Sequence, residues 1–384
     1  MTTPNPTSGG YSNEPPQNPR TLIFSQRNLS KRLPFRCPHF EFEDVISQID
    51  SVDLLAPRLD PTRWGHTVAK QIAYHTPLVL NPGIEWTPIK EQYDLFLAIC
   101  GDPTDLLRVS TFSNWRSHCK KAVCLIDELW VTQMAAYSNF LRMLEQFDTV
   151  ILYYSQSVAP LNERIGKKCI FLPPGVDTVR FNPWPNPPER VVDVYSIGRR
   201  SAVTHRTLLK MAAEKGLFYL YDSTSADQVI DPTEHRDLFA NVLKRSRYFL
   251  VNPGLIDRPD IRADQIEIGN RYFEAAASGT IMLGERPSNG QFEKFFDWPD
   301  SVIDVPYDSG DIDKIVNMLN GEPERADRMR RVNVQQALMR HDWVYRWEAI
   351  LNATGIEPMP QLAKRKGLLQ NLAADVMHQH LAEA

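Results

Sequence analysis

No two of the five cysteines, Cys37, Cys100, Cys119, Cys124 and Cys169, stand at the spacing of a metal-binding or redox pair, and their number is odd. A disulfide framework and a structural zinc site are not expected, and the pattern suits a reducing cytosol. Long apolar runs are missing too. The longest are strand-sized pieces such as Val150 to Tyr154, too short to cross a bilayer. The opening stretch 1–20 lacks a basic region followed by an apolar one, so it is not expected to be a secretory signal; rich in Pro, Asn, Ser and Gly, it reads as a disordered tail. Nor does one sign of charge prevail. A formal net charge of −4 over 384 residues argues against non-specific nucleic-acid binding, and no nucleic-acid partner is expected. No Asp-x-Asp directly follows an expected strand, since Asp311-Ile312-Asp313 falls at a helix start, and no His/Cys cluster occurs. Metal is therefore expected to play no part.

What is present describes a soluble globular protein: 42% hydrophobic, 10% aromatic and 23% charged residues. A chain of 384 residues exceeds the usual size of one core, so two domains are expected. From Thr21 onward short apolar runs alternate with amphipathic stretches, the pattern of an α/β fold with parallel strands joined by helices. Strands are expected at 21–25, 78–80, 95–100, 122–126, 150–154 and 169–172, and helices at 42–49, 105–116, 131–146 and 159–165. Then comes Asn182-Pro183-Trp184-Pro185-Asn186-Pro187-Pro188, which no helix or central strand accommodates, and which reads as a linker. A second alternation follows it, with strands at 191–196, 217–221, 248–252, 281–283 and 302–305 and helices at 206–214, 237–245 and 312–318, besides the one that carries Glu274. Two such halves joined by a Pro-rich hinge leave a cleft. Ligands on parallel sheets sit beyond the carboxyl ends of the strands, so the residues just after each strand are the candidates.

Three segments there are polar. In the first, Gly269-Asn270 precedes a helix former, Arg271 to Ala277, which Ser278-Gly279 ends before the apolar Ile281-Met282-Leu283. The unpaired N–H groups of such a helix tip favour a phosphate, and Glu274, one turn in, can accept from two neighbouring sugar hydroxyls; a core helix with one solvated carboxylate is the other reading. Gln265, Glu267 and Asn270 are the polar candidates of the loop leading in. In the second, Ser196-Ile197-Gly198-Arg199-Arg200, a glycine lets the backbone pass close to a ligand and two guanidiniums follow, with Arg206 as a third; these either grip phosphate or sit on a solvated loop. In the third, Leu172 to Phe181, Pro173, Pro174 and Gly175 fix a tight turn in which Asp177 can accept backbone N–H bonds and Phe181 can anchor the hinge.

Taken in order, these segments resemble the two-domain GT-B glycosyltransferases, and among them the retaining enzymes of glycosyltransferase family 4. Pro174-Gly175-Val176-Asp177-Thr178-Val179-Arg180-Phe181-Asn182-Pro183 is similar to the family's domain junction, Gly198-Arg199 to the end of its first second-domain strand, and Phe273-Glu274-Ala275-Ala276-Ala277-Ser278-Gly279 to its carboxylate helix. The segment from Trp343 to Leu351 resembles the helix that crosses back to the first domain. The resemblance implies two Rossmann-like domains facing each other across a cleft: an acceptor-side domain at 21–178, a hinge at 179–190, a nucleotide-sugar-binding domain at 191–340 and a crossing helix and tail at 341–384. It also implies that Glu274 binds the donor ribose and that Arg199, with Gly198 and Arg200, binds the diphosphate. Backbone amides from Gly269, Asn270 and Arg271 would face the same group. Arg206 lies near the family's lysine position. Glu267 is separated from Glu274 by one residue fewer than the family's two motif glutamates, and the glycine-rich loop expected after the first strand is replaced by the basic, polar Ser25 to Arg32. Asp127-Glu128, straight after a strand, either touches the acceptor or donor sugar or caps a helix.

The function implied is transfer of a sugar from a UDP- or GDP-sugar to a hydroxyl of a glycan, a lipid-linked or a small-molecule acceptor, with retention, without metal and with no cofactor beyond the nucleotide sugar. Arg199, Arg206, Glu267 and Asp127 are the expected catalytic residues. A non-catalytic sugar-nucleotide or glycan-binding subunit and a nucleotide-sugar epimerase are the alternatives. The tail from Gln361 carries Lys364-Arg365-Lys366 and then Leu368, Leu369, Leu372, Val376 and Leu381 at nearly helical spacing. It either rests peripherally on an anionic membrane or, as its acidic residues favour, packs on the protein.

Overall fold

The structure, a computed structural model, describes residues 19–30, 33–59, 65–223 and 229–383. Lys31, Arg32 and residues 1–18 of the tail expected at 1–20 lie outside the described residues, while Arg20, at its end, is ordered by Asp50 at 2.7 Å. The first half builds one sheet from β1 (Thr21–Phe24), β2 (Val52–Leu55), β3 (Tyr93–Cys100), β4 (Cys119–Ile126), β5 (Thr149–Leu152) and β6 (Cys169–Phe171). Its order is β2-β1-β3-β4-β5-β6, parallel throughout. The second half builds another from β7 (Val192–Tyr195), β8 (Tyr219–Leu220), β9 (Ser246–Val251), β10 (Ile281–Gly284) and β11 (Ile303–Asp304), in the order β11-β10-β9-β7-β8, again all parallel.

Central strands covered on both faces must be apolar at successive positions, and Leu95 to Cys100 and Ala122 to Ile126 are buried without a break. Each sheet grows outward from its first strand and then restarts on that strand's other side. This creates two switch points, between β1 and β3 and between β7 and β9, where the connections diverge and leave a crevice.

Several expected elements shift. The run 78–80 is no strand: Leu78, Val79 and Leu80 are exposed and outside any sheet, while β2, whose residues are only half-buried at the sheet edge, carried too weak a pattern to be read. The helix expected at 131–146 is broken into Val131–Gln133, Ser138–Arg142 and Met143–Gln146, as befits a stretch holding Thr, Tyr, Ser and Asn. Two helices start earlier than periodicity suggests because of their caps. Ser201 Oγ accepts from the amides of Val203 and Thr204 to open Ala202–Lys215, and Asp231 accepts from Thr233 and Glu234 to open Pro232–Lys244.

The hinge and the C-terminal helices join the two lobes. Phe181 is fully buried, and helix Trp343–Thr354 lies against helix Cys37–Ile49 of the first lobe, with Trp343 stacked on Phe42 at 4.6 Å between ring centroids. Gly175 allows this approach, since a Cβ there would stand 2.7 Å from the Trp343 ring. Helix Pro360–Glu383 then lays Leu362, Leu369, Ala373 and Val376 into the same core, and Arg365 bridges Asp177 of the hinge at 2.7 Å and Asp342 at 2.8 Å. Packing on the protein therefore accounts for these apolar positions. The Leu381 side chain lies outside the described residues.

Candidate functional site

The two switch points face one another across a cleft of about 490 Å³. From the second lobe, β7 delivers Ile197, Gly198 and Arg199, β9 delivers Asn252 to Ile256, and the loop into helix Asn270–Ser278 delivers Ile268 to Arg271. From the first lobe come Asp127 and Glu128 after β4, Tyr153 and Tyr154 after β5, and Pro34, Phe35 and Pro38. Gly198 takes φ of +82°, which a residue with a side chain rarely adopts, and so turns the chain sharply at the cleft wall.

Helix Asn270–Ser278 has Gly269 at its N-cap, and no side chain closes that end. Its first residues, Asn270 and Arg271, line the cleft, so the positive end of the helix dipole lies at the cleft wall without a side-chain cap. Arg199 stands on the same wall, held by Asp257 at 2.9 Å near the surface, a pairing weak enough to be exchanged for a better anion. Two buried side-chain atoms of cleft-lining residues have no hydrogen-bond partner, the Tyr153 hydroxyl and Asn252 Oδ1. Such orphans are uncommon in a folded interior, and here they lie behind the cleft wall, a hydroxyl from one lobe and an amide oxygen from the other.

Glu274 lines the cleft from beneath and is completely buried. Its Oε1 accepts from Arg236 and its Oε2 from Arg271 at 2.9 Å. Burial pushes its carboxyl up, but Arg271 and Arg236 outweigh that and hold it below the usual carboxylate range. Asp127 sits on the facing wall with an oxygen 2.8 Å from His39 Nε2, and beside it Glu128 accepts from Trp130 Nε1 at 2.6 Å. Burial raises the Glu128 carboxyl.

The expected site residues thus divide. The cleft gathers Gly198, Arg199, Gly269, Asn270, Arg271, Glu274 and Asp127. Arg200 turns away to Asp222 at 3.0 Å and lies over Tyr221, and Arg206 is exposed on helix Ala202–Lys215; neither lines the cleft. Glu267 is buried outside it. Its carboxylate accepts from the amides of Ser155 at 2.9 Å and Gln156 at 3.0 Å, and from Gln265 Nε2 at 2.9 Å, so it caps from the second lobe the helical segment that follows β5 in the first. Gln265 works beside it, accepting from the Val131 amide at 2.9 Å and donating to Ser157 Oγ at 2.9 Å. In the basic loop after β1, Arg27 is occupied internally, pairing with Glu43 at 2.9 Å and Asp44 at 2.8 Å.

Sequence reading missed three residues that stand behind the cleft wall and hold its carboxylates. His39 belongs to helix Cys37–Ile49, whose first turn was not recognised, and Glu41 and Arg236 are single charged residues on amphipathic helices with no motif around them. In the folded chain Arg236 is fully enclosed, and Nε and Nη2 meet Glu41 at 2.7 and 3.1 Å while Nη1 meets Glu274.

Two parallel α/β sheets facing across such a cleft, with a helix returning to the first, define the GT-B fold, and solved structures share it. An Anabaena protein, Alr3699/HepE in complex with UDP and glucose, superposes with a TM-score of 0.50 at 11% identity, over 87% of this chain and 99% of that one. An alpha-glucosyltransferase in complex with UDP-glucose and DNA containing an abasic site gives a TM-score of 0.53 at 13% identity, over 88% of this chain and 99% of that one. Identities this low show the fold. At the level of sequence, residues 202–352 match the family model described as Glycosyl transferase-like. That match takes in Glu267, Glu274 and all but the last two residues of helix Trp343–Thr354. No curated protein matches the chain. The DNA in the second complex belongs to that protein, and the expected exclusion of nucleic acid gains no support from the comparison.

Proposed function

We propose that this chain transfers a glycosyl group from a nucleotide-diphosphate sugar to an acceptor hydroxyl, with retention at the anomeric carbon and without a divalent metal. One observation carries the reading. The uncapped helix tip at Gly269 to Arg271, Arg199 and the charged Glu274 carboxylate converge on one side of a cleft whose walls hold unpartnered polar atoms. The UDP of the Anabaena protein and the UDP-glucose of the alpha-glucosyltransferase fit the same chemistry.

When the glycosidic phosphate ester breaks, negative charge grows on the departing diphosphate while the sugar becomes oxocarbenium-like. Fixed amides and a guanidinium aimed at that charge stabilise it more in the transition state than in the ground state. Glu274 accepts from the ribose hydroxyls, and Asp127 with His39 faces the sugar and acceptor from the opposite wall. Among the described residues no three His, Cys, Asp or Glu side chains gather into a metal-binding group. Five free, buried cysteines suit the cytoplasm. No helix of the described residues is long and apolar enough to cross a membrane.

Thermal-shift screening against UDP, GDP, ADP and their sugars identifies the base, because a ligand of the folded state alone raises its stability by mass action. Turnover in excess EDTA should persist; loss of activity restored by magnesium refutes the metal-free chemistry. A non-catalytic binding subunit is the second reading, favoured by the removal of Glu267 from the cleft. Binding without nucleotide release across an acceptor panel, with Glu274→Ala as reference, decides for it.

A further inference from the structure

Glu41 and Glu274 lie 233 residues apart in sequence and in different lobes, yet both are fully buried and share one guanidinium. Arg236 turns Nε and Nη2 to Glu41 and Nη1 to Glu274, while its plane lies over Phe181 at 4.8 Å and near Phe239 at 5.7 Å. Arg271, the second partner of Glu274, also lies over the Phe239 ring, 4.6 Å from its centroid. Glu41 is fixed in turn by Trp343 Nε1 at 2.9 Å, the Asp177 amide at 2.8 Å and Arg180 at 3.2 Å, so the crossing helix and the hinge both hold it. Glu41 itself does not line the cleft.

We propose that Arg236 is a positioning residue that ties the Glu274 carboxylate to the first lobe through Glu41, so that Glu41 sets nucleotide affinity without touching the nucleotide. This rests on the reading of Glu274 as the ribose contact. A guanidinium presents donors on separate edges of one rigid plane, which a lysine cannot do. While Glu41 occupies two of those donors, Arg236 offers Glu274 a single bond and leaves its carboxylate with acceptor sites toward the cleft. With Glu41 neutral, the guanidinium is released to swing and close on Glu274, and the ribose loses its partner. Nucleotide binding and the seating of the lobes are thereby coupled, and the coupling works in both directions.

The test is calorimetric titration of the full chain with UDP, GDP and ADP. Glu41→Gln should weaken the nucleotide bound by wild type about tenfold, in the range of coupling between sites. Arg236→Lys should weaken it similarly, and Glu274→Gln should abolish most of it. The variant combining Glu41→Gln and Glu274→Gln should bind no worse than Glu274→Gln alone. A purely structural network predicts otherwise: lower urea midpoints with unchanged dissociation constants for Glu41→Gln and Arg236→Lys, or additive effects in the double variant, and either overturns the proposal. Should Glu41→Gln not fold, Arg236→Lys alone decides. No heat from any of the three nucleotides with wild type overturns the transferase reading, and the inference with it; binding that ignores Glu41 and Arg236 overturns the inference alone.

Discussion

Replacing Glu267 by alanine should loosen the contact between the lobes at a defined pair of amides. The carboxylate is 1% exposed and forms no ion pair among the described residues; the amides of Ser155 and Gln156, the Ser155 hydroxyl at 3.2 Å and Gln265 hold it. Hydrogen bonds to a charged group contribute about 1.5–3 kcal/mol each, and two backbone donors lose theirs in the variant. Water recovers part of this once the lobes part, so a net cost of about 3 kcal/mol is expected, or roughly a hundredfold in the ratio of closed to open forms. Amide hydrogen exchange reads it directly. Ser155 and Gln156 should be protected in wild type and exchange roughly a hundredfold faster in Glu267→Ala, with Glu267→Gln between, because the amide keeps one acceptor oxygen. Unchanged protection at those two amides would refute the capping role and reopen a place for Glu267 in the cleft.

Glu43 offers a pH test. Burial pushes its carboxyl up from 4.5 to about 7 despite Arg27 and Ser25, so the folded state takes up its proton more readily than the unfolded one. Its contribution to stability is therefore full below pH 4.5 and is lost as pH rises to about 7. Glu43→Gln should raise the melting temperature more at pH 8 than at pH 5, by the equivalent of about 2 kcal/mol; an equal shift at both would refute the assignment. Arg365→Ala should lower stability by about 3–5 kcal/mol in urea unfolding, since the completely buried Asp342 loses its cation and the nearly buried Asp177 keeps only Arg180 at 4.0 Å. An unaltered midpoint would show that the C-terminal helix does not lock the hinge. Deleting the chain beyond Glu357 should likewise expose the core residues beneath Leu369 and Val376 and cause aggregation; intact protein that sediments with anionic liposomes would instead return the tail to the membrane.

Much of the fold was legible because its signals are local. Buried parallel strands demand unbroken apolar runs, and Leu95 to Cys100 supplies one. The Asn182 to Pro188 stretch admits no regular element, so it marked the junction. Gly198-Arg199 after a strand and Gly269-Asn270 before a helix gave the polar wall of the cleft, because a turn glycine and an open helix tip are written in consecutive residues. Edge strands and caps were harder: β2 is only half-buried, and Ser201 and Asp231 start their helices through side-chain bonds that periodicity does not register.

The site divides along the same line. Local order by itself determined the strand-and-helix alternation, the Pro-rich junction, the placing of Gly198 and Arg199 after their strand and that of Glu274 one turn into its helix. Only the tertiary structure decided what those side chains meet. It sent Arg200 to Asp222, drew Glu267 onto the first lobe, and brought His39 to Asp127 and Glu41 to Arg236 and Glu274. Those partners lie on separate elements, and a charge shows in sequence only its sign; which opposite charge it finds is fixed by how the two sheets and the returning helix pack.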